Sequence, residues 1–255
     1  MAGMTTHLFI LTGSSRGMGL AMAQQLLQPG HHLLGIARQP VASLTSLARE
    51  RGARLEQWSQ DLADAIGAAE RLRQWLTAQP AGPIASATLI NNAGVIPRIS
   101  PLSDADPADL AHALRVGLEA PMLLSAAFLG ATEGWNVPRK VLNISSGLGR
   151  RAMASQAAYC AAKAGMDHFT RCLALDEAHK PHGARVCSLA PGVIDTDMQV
   201  QLRGAKPEAF PDVGNFQQLQ QQGQLTGADE AAARVLRYLQ RPDFGAQPVG
   251  DVRDA

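Results

Sequence analysis

Short apolar runs alternate with longer amphipathic segments along the whole chain. Runs of aliphatic and β-branched residues stand at 7–12, 32–37, 53–58, 87–91, 140–145 and 184–190. They are nearly continuous in apolar side chains, so they predict strands of a parallel sheet that is buried on both faces. Segments with helical periodicity stand at 17–28, 62–78, 107–130, 156–178 and 228–240. This alternation predicts a single α/β domain over residues 1–255, with helices on both faces of the sheet.

The charge balance gives no sign of a polyanionic partner. The chain has 23 basic and 22 acidic residues, a net charge of +1, and neither sign forms a long run. An electrostatic surface for nucleic acid or for a membrane is therefore not indicated. No apolar run reaches about 18 residues, and the N-terminus enters a glycine-rich turn too soon for a signal peptide. We expect a cytoplasmic protein with no nucleic-acid or membrane partner.

The cysteines and histidines indicate neither a disulfide framework nor a metal site. Cys160, Cys172 and Cys187 are an odd number without CxxC spacing, and the seven histidines show no HxxxH or HxxE spacing. We expect no metal, and we interpret the cysteines as reduced, mostly buried thiols.

A glycine-rich turn follows the first predicted strand. In ILTGSSRGMGLAMAQQLL, Gly13, Gly17 and Gly19 stand between that strand and the entry of a helix. Glycines there let the backbone approach a pyrophosphate, which the free amides and the dipole of the helix N-terminus stabilise. The alternative is a tight turn that needs only positive φ angles. The spacing is GxxxGxG rather than the commoner GxGxxG.

Five motifs, taken together, resemble the short-chain dehydrogenase/reductase family. They are TGSSRGMG (12–19), NNAG (91–94), Ser146, YCAAK (159–163) and PGVIDTDM (191–198), and they span nearly the whole chain. The resemblance implies a doubly wound parallel sheet of the Rossmann type, a nicotinamide dinucleotide and chemistry between carbonyl and alcohol. Besides Tyr159 and Lys163, the cofactor-binding residues to which it points are Gly13, Ser15, Arg16, Gly17, Met18, Gly19, Arg38, Asp61, Asn92, Ala93, Gly94, Pro191, Gly192, Ile194 and Thr196.

The end of the second predicted strand favours NADP(H). A carboxylate at this position would bind the ribose 2′-hydroxyl of NAD and repel a 2′-phosphate. Here the strand ends at Ala37 and Arg38 without an acid, and Arg16 in the glycine turn supplies a second guanidinium. Arginine pairs with phosphate in bidentate fashion, although either arginine alone is also compatible with an ordinary surface. Asp61 resembles the family's adenine-contacting aspartate, and a helix N-cap is its other interpretation.

Tyr159 and Lys163 are four residues apart in a predicted helix, so they share one face. A phenol with a pKa of about 10 exchanges protons poorly at neutral pH. We therefore expect the Lys163 ammonium to lower the pKa of Tyr159 toward the working range, where Tyr159 would protonate a carbonyl oxygen. The resemblance implies that Lys163 also holds the nicotinamide ribose hydroxyls. A core tyrosine beside a solvated helix face is the alternative.

Ser146 completes the candidate catalytic set, and Thr196 is a candidate cofactor contact. Ser146 lies thirteen residues before Tyr159 and can donate a hydrogen bond to the same carbonyl oxygen. Ser145 is the competing candidate, and the family's spacing to the tyrosine favours Ser146. Thr196 matches a position that holds the nicotinamide carboxamide in the family, or it is the N-cap of the next helix.

Gly117 stands where the family commonly has an asparagine that supports a water-linked proton relay to the lysine. The family pattern is like VNLxAP, whereas this chain reads RVGLEAP. Glycine in a helix interior costs about 1 kcal/mol relative to alanine, so it can preserve a local distortion without supplying the amide. Either water fills the gap and catalysis proceeds, or the enzyme is slow or altered.

The last quarter of the chain resembles the sepiapterin reductase and benzil reductase branch. The resemblance rests on the segment after TDMQ and on the end FGAQPVGDVRDA, which lacks the TG...DGG strand of most of the wider family. It implies reduction of a ketone in a vicinal dicarbonyl. The segment 197–226 predicts a packed flap on the substrate side, with a loose insertion as the alternative. Candidate pocket residues, which ordinary packing also explains, are Ile96, Met153 and Phe216.

The leading hypothesis is an NADPH-dependent carbonyl reductase that acts on a small-molecule carbonyl substrate. The second is a dinucleotide-binding regulator or partner subunit with weak or no turnover, for which Gly117 is the sequence support. An NAD-dependent alcohol oxidant is disfavoured by Ala37 and Arg38. The long Ala-rich helices at 107–130 and 156–178 resemble those that pair in family dimers, so a homodimer or homotetramer is expected.

Overall fold

The computed structural model describes residues 5–79 and 84–254. Seven parallel strands form one sheet in the order β3-β2-β1-β4-β5-β6-β7. The strands are β1 (Thr6–Thr12), β2 (His31–Ala37), β3 (Arg54–Ser59), β4 (Ile84–Asn91), β5 (Arg139–Ile144), β6 (Arg185–Ala190) and β7 (Val249–Asp251). The order reverses between β1 and β4, so the prediction of a doubly wound Rossmann-type sheet is confirmed.

Helices cover both faces of this sheet. The helices of the described chain are α1 (Gly17–Leu26), α2 (Ala42–Arg51), α3 (Ala65–Thr77), α4 (Pro107–Leu114), α5 (Ala120–Ala131), α6 (Ala157–Ala178), α7 (Asp197–Arg203), α8 (Val213–Gln221) and α9 (Ala228–Gln240). The apolar residues of α1, α2 and α9 form one hydrophobic layer, and those of α3 and α5 form the layer on the other face. Strands buried between two such layers have no polar face, which explains their apolar runs.

Two elements of the fold were not predicted from the sequence. Helix α2 buries only Leu44 and Ala48, so its pattern gives little helical periodicity. Strand β7 has three residues and pairs with β6 in parallel, although the TG...DGG sequence is missing. Of the cysteines, Cys187 is buried, Cys160 is half-buried and Cys172 on α6 is exposed. The expectation of mostly buried thiols is therefore wrong.

The predicted helix at 107–130 is continuous but distorted. Between α4 and α5, residues Arg115–Glu119 form a π-helical turn that contains the buried Gly117. A Cβ added to Gly117 would lie 3.2 Å from the Cβ of Ala162 on α6, closer than packed carbons usually approach. The distortion expected at this glycine is present, and it brings α6 close to the turn.

The whole stretch Pro107–Ala131 is long and apolar enough to cross a membrane by length and composition alone. In the fold, 56% of that window is buried, and the helix packs on α3 and α6. A helix that is largely buried in the core of a domain is expected to have this hydropathy.

A buried ion pair anchors the C-terminal end of α6, the helix that carries Tyr159 and Lys163. The side chains of Arg139 on β5 and Glu177 on α6 are 1% and 2% exposed, and their nearest N and O atoms are 3.7 Å apart. Glu177 also accepts hydrogen bonds from the Ala184 backbone N–H at 2.7 Å and from Lys180 at 2.8 Å. Burial raises the pKa of Glu177, but these partners outweigh burial and hold it below its ordinary value.

We predict that Glu177→Gln lowers the free energy of unfolding by about 3 kcal/mol, because the buried Arg139 guanidinium loses its carboxylate. Urea unfolding at pH 7 measures this loss. The matched control is Glu230→Gln, which breaks an exposed pair with Arg234 and should change the value by less than about 1 kcal/mol. Equal effects of the two substitutions would contradict the anchoring role.

The loss should also depend on pH. The pKa of Glu177 is lower in the folded chain than its ordinary 4.5, so the carboxylate stabilises the fold above that pH. This contribution disappears as the pH falls through the folded-state value. The difference between wild type and Glu177→Gln should therefore begin to narrow as the pH falls below 4.5.

Candidate active site

A cleft of about 1070 Å³ opens at the carboxyl ends of β1, β4, β5 and β6, at the point where the strand order reverses. Doubly wound sheets bind their ligands at this edge. Every site residue predicted from the sequence lines the cleft: Gly13, Ser15, Arg16, Gly17, Met18, Gly19, Arg38, Asp61, Asn92, Ala93, Gly94, Ile96, Ser146, Met153, Tyr159, Lys163, Pro191, Gly192, Ile194, Thr196 and Phe216.

The glycine turn after β1 forms a backbone cradle. Gly13 and Gly17 have φ angles of +70° and +53°, which side chains rarely adopt. A Cβ on Gly19 would lie 2.0 Å from the carbonyl oxygen of Gly13, so no other residue fits there. No side chain caps the N-terminus of α1. Its first N–H groups are therefore available to an anion, and the cradle fits the pyrophosphate of a dinucleotide.

The NNAG segment is tied to the same turn. The Asn92 side chain donates a hydrogen bond to the Thr12 carbonyl at 2.9 Å. The backbone N–H groups of Asn92 and Ala93 both donate to the Thr12 hydroxyl, again at 2.9 Å. These bonds hold the end of β4 against the end of β1, so the two sides of the cleft keep a constant separation.

The adenosine end of the cleft carries the two predicted arginines. Arg38, exposed, follows β2, and its guanidinium has no hydrogen-bond partner in the part of the chain that the structure describes. The Arg16 guanidinium lies 2.8 Å from the Asp197 carboxylate at the start of α7, and both side chains are mostly exposed. Arg38 is thus the unpaired cation of the two, whereas Arg16 links the glycine turn to α7.

Asp61 lines the cleft after β3, but it does not cap α3. Its carboxylate accepts a hydrogen bond from the Ala63 N–H at 2.9 Å, which closes a turn before the helix. The N-cap is Asp64, whose side chain accepts from the Gly67 N–H. The N-cap interpretation of Asp61 is therefore wrong, because the helix starts one turn later than its sequence pattern predicts.

Lys163 is buried on the cleft side of α6. Its Nζ donates a hydrogen bond of 2.7 Å to the carbonyl oxygen of Ile144, the last residue of β5. The same atom is 5.8 Å from the centroid of the Tyr159 ring. Burial lowers the pKa of Lys163 to about 8, and the charge of Asp167 opposes this effect. At neutral pH the side chain is still largely an ammonium.

Tyr159 is 9% exposed, and its pKa is raised rather than lowered. Burial is the main cause, interaction with the Ser146 hydroxyl opposes it, and Cys160 adds to it. The expectation that Lys163 lowers this pKa is thus wrong for this structure. The ammonium lies over the ring and donates to a backbone carbonyl, and burial of the phenol dominates its pKa. Tyr159 is a neutral phenol at pH 7, a proton donor.

The two candidate serines differ in their surroundings. Ser146 stands at the N-cap of a short 3₁₀ turn, Gly147–Gly149, and its Oγ accepts a hydrogen bond from the Leu148 N–H at 3.2 Å. Its hydroxyl is the one that interacts with Tyr159. Ser145 is buried, and its hydroxyl has no partner among the described residues. The geometry pairs Ser146, not Ser145, with the tyrosine.

The segment after β6 leads into the region predicted as a flap. Thr196 stands at the N-cap position of α7, but its side chain makes no capping hydrogen bond. Ile194 forms a parallel bridge with Thr226, and the backbone bonds of Asp195 and Val193 to Thr226 flank it. The segment between Ile194 and Thr226 therefore leaves and rejoins the rest of the domain at one point, and it contains α7 and α8.

A third hydrophobic cluster roofs the cleft on this side. Its buried members are Ile99, Leu202, Phe210, Val213 and Phe216. The rings of Phe210 and Phe216 lie 5.6 Å apart, and Phe210 is fully buried. Ile96 and Met153 pack against this cluster and also line the cleft. The three predicted pocket residues thus pack within this cluster and also line the cleft.

Several cleft residues were not predicted from the sequence. They are polar or charged and lie around the substrate side: His112, Arg150, Arg151, Gln156, Gln199, Asp251 and Arg253. Gln156 had a usable signal, since it lies one helical turn before Tyr159. Asp251 and Arg253 had none, because β7 brings the C-terminal segment to the cleft only in the folded sheet.

Comparison with known proteins agrees with this geometry. A model of the short chain dehydrogenase family matches residues 7–207. Benzil reductase ((S)-benzoin forming) of Bacillus cereus is 33% identical over 243 residues, which cover 95% of this chain and 96% of that protein. Sepiapterin reductase of Meriones unguiculatus is 32% identical over 254 residues, 95% of this chain and 94% of that protein.

Among solved structures, the crystal structure of the KRED1-Pglu enzyme superposes with a TM-score of 0.78 at 26% identity, over 94% of this chain and 98% of that one. The glycine cradle at the switch point is the feature that accounts for dinucleotide binding in such a sheet. With its fold, its cleft and a family match over most of its length, the chain belongs to the short-chain dehydrogenase family of oxidoreductases, which bind a nicotinamide dinucleotide.

Proposed function

We propose that this protein is an NADPH-dependent carbonyl reductase whose general acid is Tyr159. The observation that carries the proposal is a buried, neutral phenol that lines the dinucleotide cleft beside Ser146 and Lys163. A reductase must deliver a proton to the carbonyl oxygen, and a phenol held in its protonated form can do so. The chemistry that the nicotinamide supplies when bound is hydride transfer to the carbonyl carbon.

The three catalytic side chains have separate roles in this proposal. Tyr159 donates its hydroxyl proton to the substrate oxygen. Ser146 donates a hydrogen bond to the same oxygen and stabilises its developing negative charge. Lys163, anchored on the Ile144 carbonyl, holds the ribose hydroxyls and keeps a positive charge near the site. The apolar roof excludes water, which strengthens each of these interactions.

The preference for NADPH rests on Arg38. It is an exposed guanidinium at the end of β2, where no carboxylate follows Ala37. A 2′-phosphate there gains charge-assisted hydrogen bonds. Arg16 shares its charge with the Asp197 carboxylate, so it is the weaker of the two.

We propose a vicinal dicarbonyl as the substrate class. Relatives named benzil reductase and sepiapterin reductase match nearly the full length of the chain. The roof residues that line the cleft, Leu202 and Phe216, suit an apolar or aromatic substituent on such a substrate. We further propose that the protein is cytoplasmic and forms a homodimer or homotetramer. The helices expected to pair, α4 to α6, have exposed apolar side chains that support this assembly: Leu114, Met122 and Leu175.

Tyr159→Phe should lower kcat on a carbonyl panel that includes benzil by at least about 100-fold, because the proton donor is removed. The dissociation constant for NADPH, from fluorescence titration, should stay within about twofold. The matched control is Tyr238→Phe, at the other tyrosine of the chain, which does not line the cleft. Retained turnover in the Tyr159 variant would refute its role. NADPH binding without any turnover by the wild type would favour the regulatory hypothesis.

Arg38→Asp should weaken NADPH binding by about 10- to 100-fold and improve NADH binding, because a carboxylate repels the 2′-phosphate and accepts bonds from a 2′-hydroxyl. Parallel titrations of wild type and variant with both dinucleotides measure the change. Arg49→Asp, an exposed arginine of α2 outside the cleft, is the control for net charge. An unchanged NADPH to NADH ratio in the Arg38 variant would exclude Arg38 as the phosphate-binding residue.

Leu175→Glu should shift the protein to a smaller assembly in light scattering, since a carboxylate would be buried where α6 pairs with its copy. Ile66→Glu is the control, because Ile66 is similarly exposed but lies on α3. A wild type that is monomeric at micromolar concentration would contradict the proposed assembly.

A further inference from the structure

Gln156 is a fully buried amide at the edge of the cleft. The residue is 0% exposed, and neither its Nε2 nor its Oε1 has a partner among the residues that the structure describes. Buried polar side chains are nearly always paired, so an amide with both ends unpaired calls for an explanation. Gln156 stands at the N-cap of α6, one turn before Tyr159, and it lines the cleft.

The turn before Gln156 holds it in place. Ser155 has a φ angle of +60°, the only positive value at a non-glycine residue of the described chain. Its hydroxyl donates a hydrogen bond of 2.6 Å to the carbonyl of Ala209, next to the buried Phe210. The strained residue is therefore tied to the segment that carries the roof. Such strain persists only where the surroundings enforce it, and it is concentrated at ligand sites.

A second unpaired amide lines the same cleft. Gln199 on α7 is 8% exposed, and its Oε1 is buried without a partner among the described residues. It lies next to Met198, which packs on the roof cluster. Two neutral amides thus offer unused donor and acceptor atoms beside an apolar roof. The terminal torsion of a glutamine side chain is soft, so either atom can turn toward a ligand.

We propose that Gln156, assisted by Gln199, binds a second, uncharged polar group of the substrate on the carbon next to the reacting carbonyl. This inference rests on the proposed function and deepens it. Ser146 and Tyr159 serve the oxygen that is reduced, and the Gln156 Nε2 donates to the neighbouring oxygen. Gln156, at the N-cap of α6, stands three residues before Tyr159, and both side chains line the same cleft. A charged group is not favoured, because the amides carry no countercharge.

Selectivity follows from the unpaired amide. A site with a buried donor rejects an analogue that lacks the acceptor, since the donor then stays unpaired in the complex. The enzyme should therefore prefer a vicinal diketone to a monoketone of the same shape. Removal of the amide should abolish that preference and leave the reaction of the monoketone in place.

The test uses Gln156→Leu, which keeps the side-chain size and removes the polar atoms. The probes are phenylpropanedione and its two monoketone analogues, propiophenone and phenylacetone, in each of which one carbonyl is a methylene. We expect kcat/KM for the diketone to fall by about 10- to 100-fold, with the monoketone values changed less than about threefold. The control is Gln218→Leu on α8, the same substitution at an exposed position.

Melting temperature separates recognition from a structural role. An unpaired buried amide contributes nothing to folding, so Gln156→Leu should melt at the wild-type temperature or above. A lower melting temperature, with parallel losses on the diketone and both monoketones, would overturn the proposal in favour of a structural role. An unchanged ratio of diketone to monoketone kcat/KM would also overturn it.

A binding measurement distinguishes failure of this inference from failure of the proposed function. Calorimetric titration of phenylpropanedione onto wild type and Gln156→Leu, each saturated with NADP⁺, needs no turnover. Weaker binding to the variant, about 10-fold or more, supports the recognition role even if the wild type reduces none of the three probes. Equal binding to both proteins, or none to either, overturns it, whatever carbonyl the wild type reduces.

Discussion

The buried polar contacts between α6 and the sheet are the constraint on which the site depends. Asn91 on β4 donates to the Asn143 side chain on β5 at 2.8 Å, and Asn143 donates to Thr170 on α6 at 2.9 Å. Ser188 on β6 donates to the buried Asp167 of α6 at 2.6 Å. Apolar packing alone tolerates sliding, whereas buried hydrogen bonds have direction and are costly to leave unmade. They therefore set the register of α6, and with it the positions of Tyr159 and Lys163.

The register of α6 determines which side chains meet in the cleft. With α6 in place, Lys163 reaches the Ile144 carbonyl, and Tyr159 comes to lie beside Ser146 at the end of β5. Burial then acts on both groups in the direction of the neutral form, raising the pKa of the tyrosine and lowering that of the lysine to about 8. The same burial that costs free energy on folding thus keeps the phenol protonated, the form that can donate a proton at neutral pH.

The flap side of the cleft is assembled on a separate element, which is joined to this frame at several points, among them the pair of Arg16 with Asp197. The bridge between Ile194 and Thr226 closes the neck of the flap, and the Ser155 hydroxyl binds it at Ala209. Apolar residues form its roof, while Gln156 and Gln199 leave amide atoms unpaired at the cleft. Buried polar atoms left unpaired cost stability, which a ligand can recover on binding.

The sequence by itself determined the parallel sheet and the glycine cradle, because these depend on apolar periodicity and on glycines adjacent to a strand. The resemblance of its motifs to a known family pointed to a part of the cleft lining. It also pointed to the distortion at Gly117. The tertiary structure alone decided the protonation of Tyr159, the capping of α3 by Asp64 rather than Asp61, and the pairing of Arg16 with Asp197. It alone placed β7 and the unpaired Gln156. The burial and the hydrogen-bond partners of these residues depend on segments that are far apart in the chain. The local sequence pattern around each residue therefore cannot predict them.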